Sequence, residues 1–184
     1  MPITHIALLR AVNVGSTIVD PADLRTIAAE MGYGRVRSWL RTGNLLFDAP
    51  ARPTRLLETR LADATGRRLG LATRFFVRTA PEWSRVVAGN PYPDRARSDP
   101  SHLVVVVLDG TPTEDAVRRL RASIVGRETV HPGERCLYVT YPDGIGRSKL
   151  TLARIEDAVG SPGTARNWNT TVKLDALARA HPPA

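Results

Sequence analysis

The chain has 184 residues, of which 42% are hydrophobic, and this composition excludes a wholly disordered protein. It contains one cysteine, no recognisable signal peptide and no apolar run near the roughly 20 residues of a membrane-spanning helix, so we expect a cytoplasmic protein without disulfides or membrane association. The 26 basic and 18 acidic residues give a net charge of +8, which favours anionic partners, although the arginines are spread over the chain.

The first half of the chain alternates apolar strand-like runs with amphipathic helix patterns. Asp20 and Pro21 are typical of a helix start, Gly66 is expected to end the second helix, and the short segment 41–43 is typical of a hairpin turn. The predicted elements are a strand at 3–9, a helix from 21, strands at 35–40 and 44–47, a helix from 53 and a strand at 72–77. This order is the split βαβ, or ferredoxin-like, arrangement.

A capping-box pattern, Thr79 with Glu82, predicts a short helix after this first half. The proline-broken stretch 90–100 is the best candidate for a domain boundary. The element order then repeats: a strand at 102–108, a helix, strands at 128–131 and 136–141, a helix from Ser148 to Gly160, a strand at 164–166 and a last helix at 170–180.

These patterns predict an α+β protein with two ferredoxin-like (βαββαβ) subdomains, antiparallel sheets and an extra C-terminal helix. The predicted division is residues 1–78 for the first subdomain, 79–100 for a helix and linker, and 101–184 for the second subdomain with its C-terminal helix.

The loop from Gly144 to Lys149 is the first candidate site. We expect it to precede a helix directly, where free backbone N–H groups and the helix dipole attract anions, and Arg147, Ser148 and Lys149 would add charge and donors. The spacing matches neither a phosphate-binding P-loop nor a dinucleotide-binding fingerprint. The alternative is a tight turn in which Ser148 is an ordinary helix N-cap and both cations are simply solvated.

The second candidate site contains Arg166, Asn167, Trp168 and Asn169, with Lys173 a turn further on. Asn169 is the expected cap of the last helix, and Trp168 could stack on a base. The alternative is that these polar groups bond only to local backbone. Lys149 and Lys173 are the only lysines of the chain, which indicates that an ammonium group suits both positions.

Arg10, Asn13 and Asn44 are polar residues at predicted strand ends of the first half, and they are further candidates for ligand binding. Turn chemistry alone also explains Asn44. The sequence does not predict whether these residues share one cleft with the second-half residues. It shows no metal-ligand spacing and no assignable catalytic grouping, so no metal or cofactor is expected.

Four segments, IALLRAVNVG, LRTGNLLF, YPDGIGRSKL and TARNWNTTVKL, resemble a bacterial family known only as domain-of-unknown-function family 1697. The resemblance covers nearly the whole chain and implies two ferredoxin-like α+β subdomains, but no reaction. The first loop departs from the family pattern at Ala11 and Ser16, and residues 17–19 bring no charge, so the resemblance supports an anion site less there than in the C-terminal motifs.

The leading interpretation is a non-enzymatic protein that binds nucleic acid or another polyanion through residues 144–149 and 166–169. The first alternative is a small enzyme acting on a phosphorylated or nucleotide-like molecule, with Arg147 and Lys149 holding the anion. The second is a protein interaction module, which would expose an apolar patch. The sequence leaves open whether the protein is an enzyme and predicts no oligomeric state.

Overall fold

A computed structural model of the protein describes residues 2–10 and 19–180, and Asn13 lies outside them. The chain divides into two compact units, which we describe separately. The first unit is Met1–Ser84 together with Leu174–Ala184, and the second unit is Arg85–Lys173. The divisions fall inside two helices, α3 (Ala80–Ala88) and α7 (Trp168–Arg179).

The first unit is built on a four-stranded antiparallel sheet with the strand order β2-β3-β1-β4. Its strands are β1 (Pro2–Leu9), β2 (Gly34–Trp39), β3 (Asn44–Pro50) and β4 (Phe75–Thr79). Helices α1 (Pro21–Glu30) and α2 (Thr54–Leu69) pack on one face through residues such as Leu24 and Leu57. The opposite face of the sheet is also shielded from solvent, since Ile6 and Leu8 are fully buried. Burial on both faces explains why residues 6–9 of β1 are all apolar.

The second unit repeats this architecture with the strand order β6-β7-β5-β8, again fully antiparallel. Its strands are β5 (Leu103–Leu108), β6 (Thr129–Gly133), β7 (Cys136–Thr140) and β8 (Gly163–Asn167). Helices α5 (Glu114–Ala122) and α6 (Leu152–Val159) cover one face of the sheet. On the other face, the buried Tyr138 hydroxyl donates a 2.7 Å hydrogen bond to the Val86 carbonyl of α3.

The predicted α+β fold of two ferredoxin-like subdomains with an additional C-terminal helix is therefore confirmed. Residues 79–100, predicted as a helix and linker, contain α3 and the short α4 (Pro93–Ser98). Each half is followed at once by a helix, because α3 comes directly after β4 and α7 directly after β8.

Three predicted helix ends were wrong. Helix α6 starts at Leu152 with Thr151 as its cap, because the Ser148 hydroxyl is engaged by Glu128 and by the Leu150 N–H. Helix α7 starts at Trp168 and not at Thr170. Helix α2 passes through Gly66, where a side chain would have ample room, and ends at Gly70, whose φ of 64° is the left-handed conformation that terminates helices.

Candidate anion-binding site

Asn44 and Arg10 lie at the same end of the first sheet. Asn44 is fully buried, and its amide nitrogen donates 2.9 Å hydrogen bonds to the Trp39 carbonyl and the Thr42 hydroxyl, across the turn between β2 and β3. The Arg10 N–H donates to the Arg74 carbonyl at 2.8 Å. The amide of Asn44 thus holds the hairpin turn, as turn chemistry had suggested.

Apart from Asn13, which lies outside the described residues, the other eight predicted site residues are in the second unit. Three of them belong to the loop between β7 and α6, which is braced internally. The Tyr141 hydroxyl donates to the Leu150 carbonyl at 3.0 Å, and the Gly144 N–H donates to the Tyr141 carbonyl at 2.9 Å. Ser148 links the loop to Glu128. Burial raises the pKa of Tyr141 to about 12, so its phenol remains a donor at any physiological pH.

Arg147 and Lys149 are exposed on this braced loop. The carboxylate of Asp143, the nearest acid along the loop, is held by Arg127, whose Nε lies 3.0 Å from Asp143 Oδ2. Hydrogen bonding from Arg127 keeps the pKa of Asp143 below its usual range, so this carboxylate remains ionised and paired. The loop therefore presents two cations to solvent, and its acid Asp143 is paired with Arg127, although the charge of Arg147 also helps to lower the pKa of Asp143.

The segment from Arg166 to Asn169 is mostly turned inward. Arg166 is buried, and its Nη1 donates to the Thr164 hydroxyl at 3.0 Å and to the Ala165 carbonyl at 2.8 Å. Burial alone lowers the pKa of Arg166 to about 10, so the guanidinium still carries its charge at neutral pH. Trp168 is only 8% exposed, which leaves little of the indole open to a base.

Asn167, and not Asn169, caps α7: its side-chain oxygen accepts a 3.0 Å hydrogen bond from the Thr170 N–H. The prediction that Asn169 is the cap was therefore wrong. Asn169 and Lys173 are exposed on the first turns of the helix. Of the five residues in this second candidate segment, these two remain accessible to a large ligand.

The two candidate segments, 144–149 and 166–169, are both tied to residues 100–102, which lead into β5. The Tyr141 N–H donates to the His102 carbonyl at 2.8 Å, and the Trp168 N–H donates to the Pro100 carbonyl at 3.1 Å. Sequence reasoning missed this segment, because a histidine before an apolar strand carries no signal of its own. His102 also pairs with Asp99: its Nδ1 lies 3.0 Å from Asp99 Oδ2.

Residues 2–10 and 19–180 contain no cluster of histidine, cysteine and acidic side chains that could hold a metal ion. Over the same residues, no helix combines the length and apolar character needed to cross a bilayer.

The fold and this loop site define the class of the protein, an α+β protein of two ferredoxin-like subdomains with a cationic loop in the second. The chain belongs to the family described as "Protein of unknown function (DUF1697)", which matches residues 3–138. Two of the four motifs that suggested the family lie inside the matched residues, whereas those at 141–150 and 164–174 lie beyond them.

Among solved structures, the chain is similar to the conserved bacterial protein SP0830 from Streptococcus pneumoniae, with a TM-score of 0.75 and 16% sequence identity. The similarity covers 97% of this chain and 99% of that chain. At this identity the likeness concerns the fold alone. No curated protein matches the chain.

Proposed function

We propose that this protein binds a polyanion, nucleic acid in particular, through the loop between β7 and α6. The observation that carries the proposal is the exposure of Arg147 and Lys149 on a loop whose own hydrogen bonds fix its shape. Phosphates are attracted to such cations because binding releases condensed counterions from the nucleic acid. The net charge of +8 adds long-range attraction to the same partner.

The arrangement of nearby charges supports the same interpretation. Arg154 is also exposed, and its Nη1 donates to the Lys149 carbonyl at 3.3 Å, which brings a third cation to the loop. Asp143 is paired with Arg127, and Glu128 accepts from Ser148, so neither carboxylate directly neutralises Lys149. Three exposed cations on and beside a small loop suit two or three successive phosphates.

Trp168 is buried and Asn167 caps a helix, so neither residue is counted among the contacts to the nucleic acid. The interaction would be made with phosphates more than with bases, and such contacts carry little sequence information. We therefore expect weak discrimination between base sequences and a strong dependence on salt.

The test is a fluorescence-anisotropy titration of labelled single- and double-stranded 20-mers at several salt concentrations. Two or three phosphate contacts predict that affinity for duplex falls roughly 10- to 40-fold between 50 and 200 mM salt. In the Arg147→Ala/Lys149→Ala variant, the slope of log affinity against log salt should decrease by about 2.

The matched control removes two arginines that are equally exposed but already paired with acids. Arg97 is bound by Asp94, and Arg118 Nη2 lies 2.7 Å from Asp115. The Arg97→Ala/Arg118→Ala variant has the same net charge as the test variant and should keep the wild-type slope. Absence of binding by the wild-type protein at low salt would overturn the proposal, and equal losses in both variants would show that only net charge matters.

A further inference from the structure

The pair formed by Asp99 and His102 has the geometry of an oriented base. Asp99 Oδ2 lies 3.0 Å from His102 Nδ1, and hydrogen bonding from His102 lowers the pKa of the Asp99 carboxyl. An ionised carboxylate on Nδ1 fixes the proton there and leaves the lone pair of Nε2 available. The same division of labour between an acid and an imidazole serves general-base catalysis in hydrolytic enzymes.

The Nε2 atom faces the cationic loop. A Cβ built on Gly144 would lie 3.8 Å from His102 Nε2, so a side chain there would stand beside the nitrogen that glycine leaves open. The Arg147 N–H donates to the Gly144 carbonyl at 3.4 Å, which closes a turn. The Cα atoms that such a turn brings together are within about 7 Å, a span that an arginine side chain can cover. A phosphate could therefore contact Arg147 and His102 together.

We propose that His102 is a general base for cleavage of RNA phosphodiesters held by Arg147 and Lys149, and that Asp99 is its positioning residue. This inference rests on the proposed binding function and adds chemistry to it. His102 is accessible enough for the role, since 41% of its side chain is exposed. The Ser101 hydroxyl donates to the other oxygen of Asp99 at 3.2 Å, which further orients the carboxylate.

RNA is the class of nucleic acid that this site can cleave with one general base. His102 Nε2 takes the proton of a ribose 2′-hydroxyl, and the 2′-oxygen forms a bond to the adjacent phosphorus. The bond from phosphorus to the 5′-oxygen breaks, and that oxygen takes a proton from water or from the imidazolium. The products are a 2′,3′-cyclic phosphate and a free 5′-hydroxyl, so atoms and charge balance without a metal or a redox partner. DNA lacks the internal nucleophile.

The test measures cleavage and binding separately on the full chain, with EDTA present throughout. The cleavage probe is a labelled single-stranded RNA 20-mer, and the binding probe is its 2′-deoxy counterpart, which cannot react. We expect wild-type protein to generate cyclic-phosphate ends, and His102→Ala to lose at least about 100-fold in rate while binding the deoxy probe as before. His102→Asn, whose amide nitrogen can occupy the position of Nδ1 and keep the bond to Asp99, should lose cleavage equally.

The matched control is His131→Ala, because His131 is another exposed histidine of the second unit, on β6 and paired with Tyr138 of β7. It should cleave at the wild-type rate, whereas a contaminating nuclease would cleave equally in the His131→Ala and His102→Ala preparations. Addition of imidazole should restore part of the rate to His102→Ala, and Asp99→Asn should lower the rate and change its pH profile without weakening the deoxy probe.

The outcomes separate the two proposals. Binding of the deoxy probe without cleavage of RNA overturns the catalytic inference and leaves the binding function standing. Absence of binding overturns both. Cleavage that persists in His102→Ala assigns the activity to other groups and also overturns the inference.

Discussion

Gly43 provides the sharpest test of the packing in the first unit. It lies in the turn between β2 and β3 with φ of 73°, a conformation that favours glycine. A Cβ built on it would lie 2.5 Å from Leu9 Cβ and 3.0 Å from Leu9 Cδ2. The Leu9 N–H also donates to the Gly43 carbonyl at 2.8 Å, so the two backbones are held together. Gly43→Ala would therefore force apart a turn and the end of the central strand β1.

The expected cost has two parts. The left-handed conformation costs an alanine about 1–2 kcal/mol relative to glycine. The clash adds about 1–3 kcal/mol, because Leu9 is buried and the overlapping atom is its Cβ, which cannot rotate away. Gly43→Ala should thus lower the free energy of unfolding by about 2–5 kcal/mol.

Gly70→Ala is the matched control. Gly70 has φ of 64°, similar to Gly43, but an added Cβ would meet nothing within 4 Å. It should cost only the conformational part, about 1–2 kcal/mol. Urea denaturation followed by circular dichroism measures both variants. If both variants are destabilised equally, within about 0.5 kcal/mol, the close approach of Gly43 to Leu9 adds nothing to the free energy of unfolding, and the predicted clash is refuted.

Three further predictions concern titration and helix capping. Burial lowers the pKa of the fully buried His5 below its ordinary value of 6.5. The unfolded chain therefore takes up a proton first, and the free energy of unfolding should fall as the pH drops below 6.5. Denaturation series at several pH values should show that His5→Leu lacks this part of the acid dependence. Burial raises the pKa of Tyr141 from 10 to about 12, so the unfolded phenol ionises first and stability should fall as the pH rises from 10 to about 12. Tyr141→Phe should lack that alkaline loss and cost about 1 kcal/mol at neutral pH, through the hydrogen bond to the Leu150 carbonyl. Asn167→Ala should cost about 1 kcal/mol as the loss of a helix cap, whereas Asn169→Ala should stay within about 0.5 kcal/mol, and a reversed order in thermal unfolding would contradict the assigned cap.

The order of elements could be predicted from the sequence because it depends on local patterns. Strand β5 is a continuous apolar run and β1 is apolar over residues 6–9, and both are central strands of their sheets. The capping box also formed as predicted: the Thr79 N–H donates to Glu82 Oε2 at 2.7 Å, and the Glu82 N–H donates to the Thr79 hydroxyl at 3.3 Å. Such pairs are three residues apart, so the chain positions them without help from distant segments.

The two wrongly predicted helix starts show that local patterns cannot choose between two neighbouring residues that are both suitable N-caps. Ser148 and Thr151 are both good caps by residue type, as are Asn167 and Asn169. In the first pair the choice follows from Glu128, which lies 20 residues before Ser148 and accepts its hydroxyl proton. In the second pair, the N–H of Trp168 is taken up by the Pro100 carbonyl in the strand entry of β5, so the helix begins there with Asn167 as its cap.

The candidate site combines both kinds of information. The sequence by itself determined that residues 144–149 are glycine-rich and carry two cations, but it predicted a helix start at Ser148, whereas helix α6 begins at Leu152. Only the tertiary structure decided that Trp168 is buried and that His102 faces Gly144. Those relations depend on strand pairing between distant segments, such as Leu103 with Thr140 and Val104 with Asn167, and no local preference encodes them.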